Sequence, residues 1–322
     1  VDISIITSLI QEDLRAVDAV IRKRLHSDIA LVGQIAEYII GSGGKRMRPV
    51  VHLLGAHALG HCTGQAHLMA AVVEFIHTAT LLHDDVVDES TLRRGRETAN
   101  AAFGNAASVL VGDFLYSRAF QMMVDVGCDR VMPVMADATN IIAEGEVMQL
   151  MNCGNADIDI DNYLDVIRRK TAKLFEASGR LSAIISGQNS CIEKALSDYG
   201  MHLGTAFQLV DDVLDYSGDE TQTGKHLGDD LAEGKPTLPL LHVLRHGNAE
   251  QSSCVRKAIT DGDRSCIDRV VSALRATGAL EAARLQAKRE AQAAQASLAP
   301  VPASIFKDAL IDCATFAHSR NH

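Results

Sequence analysis

Two stretches decide how this chain folds: Leu81-Leu82-His83-Asp84-Asp85-Val86-Val87-Asp88 and Gln208-Leu209-Val210-Asp211-Asp212-Val213-Leu214-Asp215. Each ends a long apolar run of helical spacing with three aspartates in five positions. Aspartate is a poor helix former because its side chain competes for backbone hydrogen bonds, so the pattern needs a cause. Residues four apart share a helix face. Asp84 and Asp88 therefore point together, as do Asp211 and Asp215. Such like charges repel. A hard divalent cation removes the repulsion, and Mg²⁺ takes one or two carboxylates and fills its shell with water and phosphate oxygens. His77, Leu81, Asp84 and Asp88 continue one stripe; Gln208, Asp211 or Asp212, and Asp215 continue the other. A solvated acidic face is the alternative, and a second copy in a second apolar helix weighs against it. The spacing predicts two acid-bearing helices facing across a cavity, with several Mg²⁺ ions around a polyphosphate.

Helical period extends outward from there. Between 2 and 25, Ile3, Ile6, Leu9, Ile10, Leu14, Val17, Val20 and Ile21 recur at three- and four-residue steps. Further helices are expected over 28–41, from Pro49 at a favoured first position, and over 66–90, 106–126, 130–152, 161–186, 194–217 and 236–246. Shorter ones should fill 249–318. No stretch shows strand alternation. The breaks are a loop over 91–104, with Arg93-Arg94-Gly95-Arg96, and a polar segment over 218–234. Without a Pro/Ser-rich linker, residues 1–322 read as one all-α domain, a bundle of long antiparallel helices around a central cavity.

Composition narrows the function. Hydrophobic residues are 47% and aromatics 4%, with no Trp, so the core must be built from Ala, Leu, Val and Ile. Asp and Glu number 41 against 31 Lys and Arg, a net charge of −10, which excludes a general nucleic-acid binder. The 7 cysteines are scattered without a CxxC, which argues against zinc sites and a disulfide framework and for free thiols in a reducing compartment. No apolar run reaches the ~18 residues of a bilayer span; the longest, 70–87, is broken by Glu74, His77, His83, Asp84 and Asp85. The N-terminal region carries Asp2, Glu12 and Asp13 rather than a basic leader segment. The expected location is the cytoplasm.

In an acidic chain, concentrated cations mark where anions bind. Gly43-Gly44-Lys45-Arg46-Met47-Arg48-Pro49 joins a glycine turn to a helix N-terminus, which attracts anions through its free N–H groups. Lys45 and Arg48 add charge there, and Arg grips phosphate bidentately. Arg93 and Arg94 follow the first acidic cluster closely enough to share its ligand. Lys170-Thr171 lies in a helix of mixed charge and, taken alone, reads as a solvated face. Lys225 and Lys235 either close over a diphosphate or are surface loop lysines. His77 is a ligand contact or a hydrogen-bonded core histidine. His83-Asp84 resembles the dyad of metal-dependent phosphohydrolases, but the other His and Asp ligands of such enzymes have no counterparts here.

Taken together, the two aspartate motifs, Gly43–Pro49, Arg93-Arg94-Gly95, Lys170-Thr171, Phe207–Asp212 and Gly224–Leu241 resemble the trans-isoprenyl diphosphate synthases, in order and spacing, over essentially the whole chain. Residues 71–123 resemble the long-chain bacterial enzymes of the octaprenyl type. The resemblance implies the isoprenoid synthase fold, a homodimer, and repeated Mg²⁺-dependent 1′–4 condensation of isopentenyl diphosphate onto an allylic diphosphate such as farnesyl diphosphate, giving octaprenyl diphosphate for quinone side chains. It implies that Asp84, Asp88 and Asp211 bind Mg²⁺, with Asp85 and Asp212 completing the acidic motifs. Lys45, Arg48, His77 and Arg94 would hold isopentenyl diphosphate. Arg93, Lys170, Thr171, Gln208, Lys225 and Lys235 would contact the allylic diphosphate. Membrane contact would be at most transient, for product release.

The growing product must run away from the metals between helices. Ala79 and Thr80, five and four residues before Asp84, are small and leave the first turn open. One helical turn is ~5.4 Å, roughly one isoprene unit. Met123, with Met122 or Met135 as alternatives, is the candidate floor, unless these are gap-filling core methionines. The competing readings are another chain length, a terpene cyclase, an HD-type phosphohydrolase, and a non-catalytic partner subunit of a synthase.

Overall fold

In the computed structural model, residues 2–41, 43–93, 95–217 and 227–320 are described. The N-terminal helices are α1 (Ile3–Ser8), α2 (Gln11–Leu25), α3 (Ala30–Ile40) and α4 (Met47–Ala58). The long pair α5 (Gly64–Val87) and α7 (Asn105–Asp125) brackets a short hairpin and α6 (Ala99–Phe103). Then come α8 (Val131–Asn152), α9 (Ile160–Ile167), a π turn (Arg168–Ala172), α10 (Lys173–Ile185) and α11 (Ser190–Ser217). The chain closes with α12 (Asp229–Ala232), α13 (Leu238–His246), α14 (Ala249–Asp261), α15 (Ile267–Ala276), α16 (Ala279–Ser297) and α17 (Ile305–Ser319). The fold is an all-α bundle, as the helical period predicts.

Four details differ from the sequence-based expectation. The continuous helix over 2–25 is broken between α1 and α2, and both Ile6 and Ile10 are buried at the break. The helix expected from Pro49 begins at Met47, after Arg46 in a left-handed conformation (φ 47°) that forms an ion pair with Asp18. The helix expected over 161–186 is interrupted by the π turn. The loop over 91–104 holds one antiparallel hairpin, Leu92–Arg93 against Arg96–Glu97, with Arg93 opposite Arg96. Two residues a side are too few to show alternation. Arg94 and Lys225 lie outside the described residues.

Among the described residues, α5 is long and apolar enough by composition to cross a membrane, and 61% of its apolar window is buried inside the protein. Here the apolar surface serves the core. Met69, Val72, Val73, Phe75, Ile76 and Leu82 of α5 are all fully buried.

Among the described residues, the apolar interior falls into two clusters. One includes α4, α5, α7, α10 and the first half of α11. The other includes α9, the second half of α11, and α13 to α16. α11 passes from the first at Ala206 to the second at Leu209; the segment 160–185 passes back between Ile167 and Leu174. The polar residues Gln208, Lys170 and Thr171 therefore lie at the seam between two cores.

Close approach of α10 and α11 fixes that seam. A Cβ added at Gly200 would meet the Phe175 carbonyl oxygen at 2.2 Å, and one at Gly204 would meet Ala172 Cα at 2.6 Å. Backbone atoms cannot move aside as a flexible side chain can. Gly200→Ala should therefore lower stability by about 3 kcal/mol, the upper end of overpacking costs, read as the urea denaturation midpoint. An unchanged midpoint would mean that the helices have room to separate.

Candidate active site

At the seam a cavity of about 690 Å³ opens. Its wall takes Asp84 and Asp88 from the end of α5, and Asp211, Asp212 and Asp215 from α11. Lys45, Arg48, His77, Arg93, Lys170, Thr171, Gln208 and Lys235 line the same space. Every described residue assigned to substrate or metal from the sequence is thus on this wall; Asp85, the remaining member of the first acidic motif, is not.

Asp85 is fully buried, one helical step away from Asp84. Arg93 Nε and Nη2 both donate to its Oδ1, at 2.8 and 2.6 Å. The hairpin turns Arg93 back onto α5, so Asp85 positions Arg93 and does not itself face the cavity.

The π turn explains the Lys170-Thr171 pair. Such turns insert one residue into a helix and re-aim its side chains. Lys170 Nζ donates to Glu146 Oε2 at 2.6 Å and Gln149 Oε1 at 2.7 Å, and lies 3.7 Å from Asp84 Oδ2. The Thr171 hydroxyl donates to Gln208 Oε1 at 2.9 Å, and Gln208 Nε2 donates to Asp212 Oδ1 at 2.8 Å. One turn therefore touches both acidic helices, a role that mixed charge in the sequence does not reveal.

On the other side, Lys235 Nζ donates to Asp88 Oδ2 at 3.0 Å and pairs with Glu233. Arg320, just past α17, donates to Asp211 Oδ1 at 2.6 Å and to the Phe207 carbonyl at 2.8 Å. Its guanidinium lies 3.8 Å from the Phe207 ring centroid. Arg48 Nη1 is 3.1 Å from His77 Nε2 and its guanidinium is 4.4 Å from the Phe175 ring centroid. Lys45 Nζ is 5.6 Å from the Phe316 ring centroid.

Burial pushes the carboxyls up. Asp84 is raised by desolvation, against the pull of Lys170, with Asp88 adding to the rise. Glu146 is raised to about 7 by burial and by Asp84. Asp212, bonded to the Tyr163 hydroxyl, is raised to about 7 by burial and by Asp230. Burial acts against the charged lysines, but Asp84 and Glu146 raise Lys170 overall, and Glu233 and Asp88 raise Lys235. The site is acidic, partly desolvated and already bound to the protein's own cations. Its exposed donors are hard oxygens, the set Mg²⁺ prefers.

Glu146, Gln149, Tyr163, Asp230 and Arg320 also line this cavity, and sequence reasoning missed them. Glu146 and Gln149 stand three apart on α8, a detectable polar stripe; nothing near Arg320 in the sequence signals its place. A second cavity of about 600 Å³ lies among α5, α7 and α8, and Thr80, Asp84 and Glu146 line both. Its remaining wall includes Tyr116, Ile142, Ala143, Val147 and Leu150. Of the chain-length candidates only Thr80 is on either wall; Ala79 and Met123 are packed in the core. Elsewhere, Asp13, His57 and Cys62 bring ligand atoms within 4.8 Å of one another, a group that could hold a metal ion.

Arg93→Met would leave Asp85 buried without its cation. Because Arg93 is itself partly exposed, the cost should fall between about 1 and 3 kcal/mol, measured by urea denaturation. No change would mean that water already reaches Asp85.

Residues 29–277 match the family model described as polyprenyl synthetase. The chain is 53% identical over 318 residues to octaprenyl diphosphate synthase of Escherichia coli (strain K12), covering 98% of each chain. It is 41% identical over 312 residues to the all-trans-nonaprenyl-diphosphate synthase (geranyl-diphosphate specific) of Rhodobacter capsulatus, covering 97% of this chain and 96% of that one. The crystal structure of a polyprenyl synthase from Caulobacter crescentus CB15, complexed with calcium and isoprenyl diphosphate, matches with a TM-score of 0.96 at 41% identity, over 100% of this chain and 98% of the other.

Proposed function

The chain belongs to the polyprenyl synthetase family and is a long-chain trans-polyprenyl diphosphate synthase, and we propose that it makes octaprenyl diphosphate for quinone side chains. It does so by sequential 1′–4 condensation of isopentenyl diphosphate onto farnesyl diphosphate. The product length follows the relative that is 53% identical. The observation that supports the reaction is the shared wall of the two cavities. Thr80 and Asp84 face a charged space on one side and a largely apolar one on the other, which suits a diphosphate head and a hydrocarbon tail.

Asp84 and Asp88 from α5 and Asp211 from α11 would hold Mg²⁺. Bound there, the metal would stabilise the charge that develops on the departing diphosphate. Lys45, Arg48 and His77 bind the diphosphate of isopentenyl diphosphate, a role the family resemblance also gives to Arg94. Arg93, Lys170, Thr171, Gln208 and Lys235 bind the allylic diphosphate, together with Lys225. Lys170 and Lys235 already donate to carboxylate oxygens, so binding exchanges one anionic acceptor for another. Fixed donors aimed at the leaving group need little reorganisation as its C–O bond breaks. A second copy packed on α7 and α8 would close the apolar cavity and keep water from the allylic cation, and the departing diphosphate accepts the proton lost after attack.

We assign the floor of the product channel to Tyr116 rather than Met123. Tyr116 is on the wall of the second cavity, its ring 5.6 Å from that of Phe120, one turn further along α7, and tilted 34° to it. The homodimer contact is assigned to α7 and α8, which expose Leu110, Val124, Val147, Leu150 and Met151. The protein is taken to work in the cytoplasm, with transient membrane contact as the lipid product leaves.

Purified protein given farnesyl diphosphate, labelled isopentenyl diphosphate and Mg²⁺ should yield octaprenyl diphosphate. A cyclic hydrocarbon, or phosphate released without label in the lipid, would overturn the assignment. Tyr116→Ala should lengthen the product and Met123→Ala should not; the reverse result would return the floor to Met123.

A further inference from the structure

Outside the catalytic cavity, four elements converge on one point. Asp13 lies in the first turn of α2, His57 in the last turn of α4, Cys62 in the following loop, and His67 in the first turn of α5. His57 Nε2 and His67 Nε2 each lie 2.8 Å from one oxygen of Asp13, Oδ2 and Oδ1 respectively. Cys62 Sγ lies 3.4 Å from Asp13 Oδ1. The group is sheltered: the side chains of Asp13, His57 and His67 are 19%, 25% and 21% exposed. The His57 ring stacks on Phe306 of α17 at 4.4 Å, which fixes its plane.

We propose that Asp13, His57, Cys62 and His67 form a structural Zn²⁺ site that clasps α2 to the α4–α5 connection. The donors are one carboxylate oxygen, two imidazole nitrogens and one sulfur, from separate segments. Four ligands of this kind suit a closed tetrahedral zinc site. Zn–N near ~2.0 Å and Zn–S near ~2.3 Å require donor separations of roughly 3.3–3.8 Å. The contacts between Asp13 and the imidazoles are shorter than that, so an entering ion has to part them, and His67, which lies outside the 4.8 Å group of Asp13, His57 and Cys62, has to swing its ring toward those other donors. Asp13, His57 and Cys62 already keep their ligand atoms within 4.8 Å of one another.

The chemistry separates this site from the catalytic one. Mg²⁺ takes oxygen ligands and leaves sulfur alone, whereas thiolate and imidazole select zinc and its neighbours. The clasp lies at the start of α5, about 25 Å along the helix axis from Asp84, so its ion does not touch substrate. Cys62 enters the site as a thiolate, its proton leaving to solvent. Because the ligands come from four segments, no CxxC spacing announces them.

Metal-stripped protein titrated with Co²⁺, a spectroscopic substitute for zinc, tests this directly. One equivalent should bring up a thiolate-to-cobalt charge-transfer band and tetrahedral ligand-field absorption. One equivalent of Zn²⁺ should bleach both, and excess Mg²⁺ should not. Cys62→Ser should lose the charge-transfer band. Cys153→Ser should keep it, which separates the clasp from the cysteine electrostatically linked to Lys235 and Asp88. Zn²⁺ should also raise the melting temperature of the wild type and not of Cys62→Ser. No band in the wild type, a band that Mg²⁺ displaces, or a band that survives Cys62→Ser would each overturn the proposal and leave a purely hydrogen-bonded cluster.

Discussion

Crowded carboxylates in a partly desolvated hollow are the constraint on which the rest depends. Asp84, Asp88, Glu146, Asp211, Asp212, Asp215 and Asp230 share one cavity wall. Such charges repel, and burial makes Asp84, Glu146 and Asp212 harder to keep ionised. The bundle meets this with cations drawn from distant parts of the chain. Lys170 serves Asp84 and Glu146, Lys235 serves Asp88, and Arg320 serves Asp211. Removing one partner of a buried pair leaves an uncompensated charge, so the fold and the site are held by the same contacts. Gly200 and Gly204 belong to this constraint as well, because they let α11 approach the turn that carries Lys170.

The same arrangement gives the site its chemistry. Cations held close to acids, with fixed geometry, can transfer their hydrogen bonds to a diphosphate without a large rearrangement. The adjoining apolar cavity divides head from tail at Thr80 and Asp84. One surface thus handles a highly charged leaving group and a growing hydrocarbon within a few ångströms.

Much of this was legible in the sequence, for definite reasons. Helical period located the long helices, and four-residue spacing put Asp84 with Asp88 on one face. Basic residues in an acidic chain pointed to the anion site. Periodicity reports which face a residue occupies, not how deep it lies or what crosses from elsewhere. Asp85 therefore reads like its neighbours although it is the buried anchor of Arg93. The π turn leaves no periodic mark, so Lys170 and Thr171 read as a solvated face without the motifs around them. Met123 has the size and position of a channel floor but packs into the core, while Tyr116 reaches the cavity. Arg320 and Cys62 act through contacts between segments far apart in the chain, which no local pattern encodes.

The most direct test of the central claim is whether the two acidic helices hold one ligand together. Inorganic diphosphate can be titrated calorimetrically into the protein at saturating Mg²⁺, using wild type, Asp84→Asn, Asp211→Asn and the double variant. Each single change should weaken binding by about tenfold or more, which is about 1.4 kcal/mol. The double variant should lose less than the two losses added, because both residues act on one metal–diphosphate assembly. Full additivity, or an Asp211→Asn variant that binds like the wild type, would contradict the account.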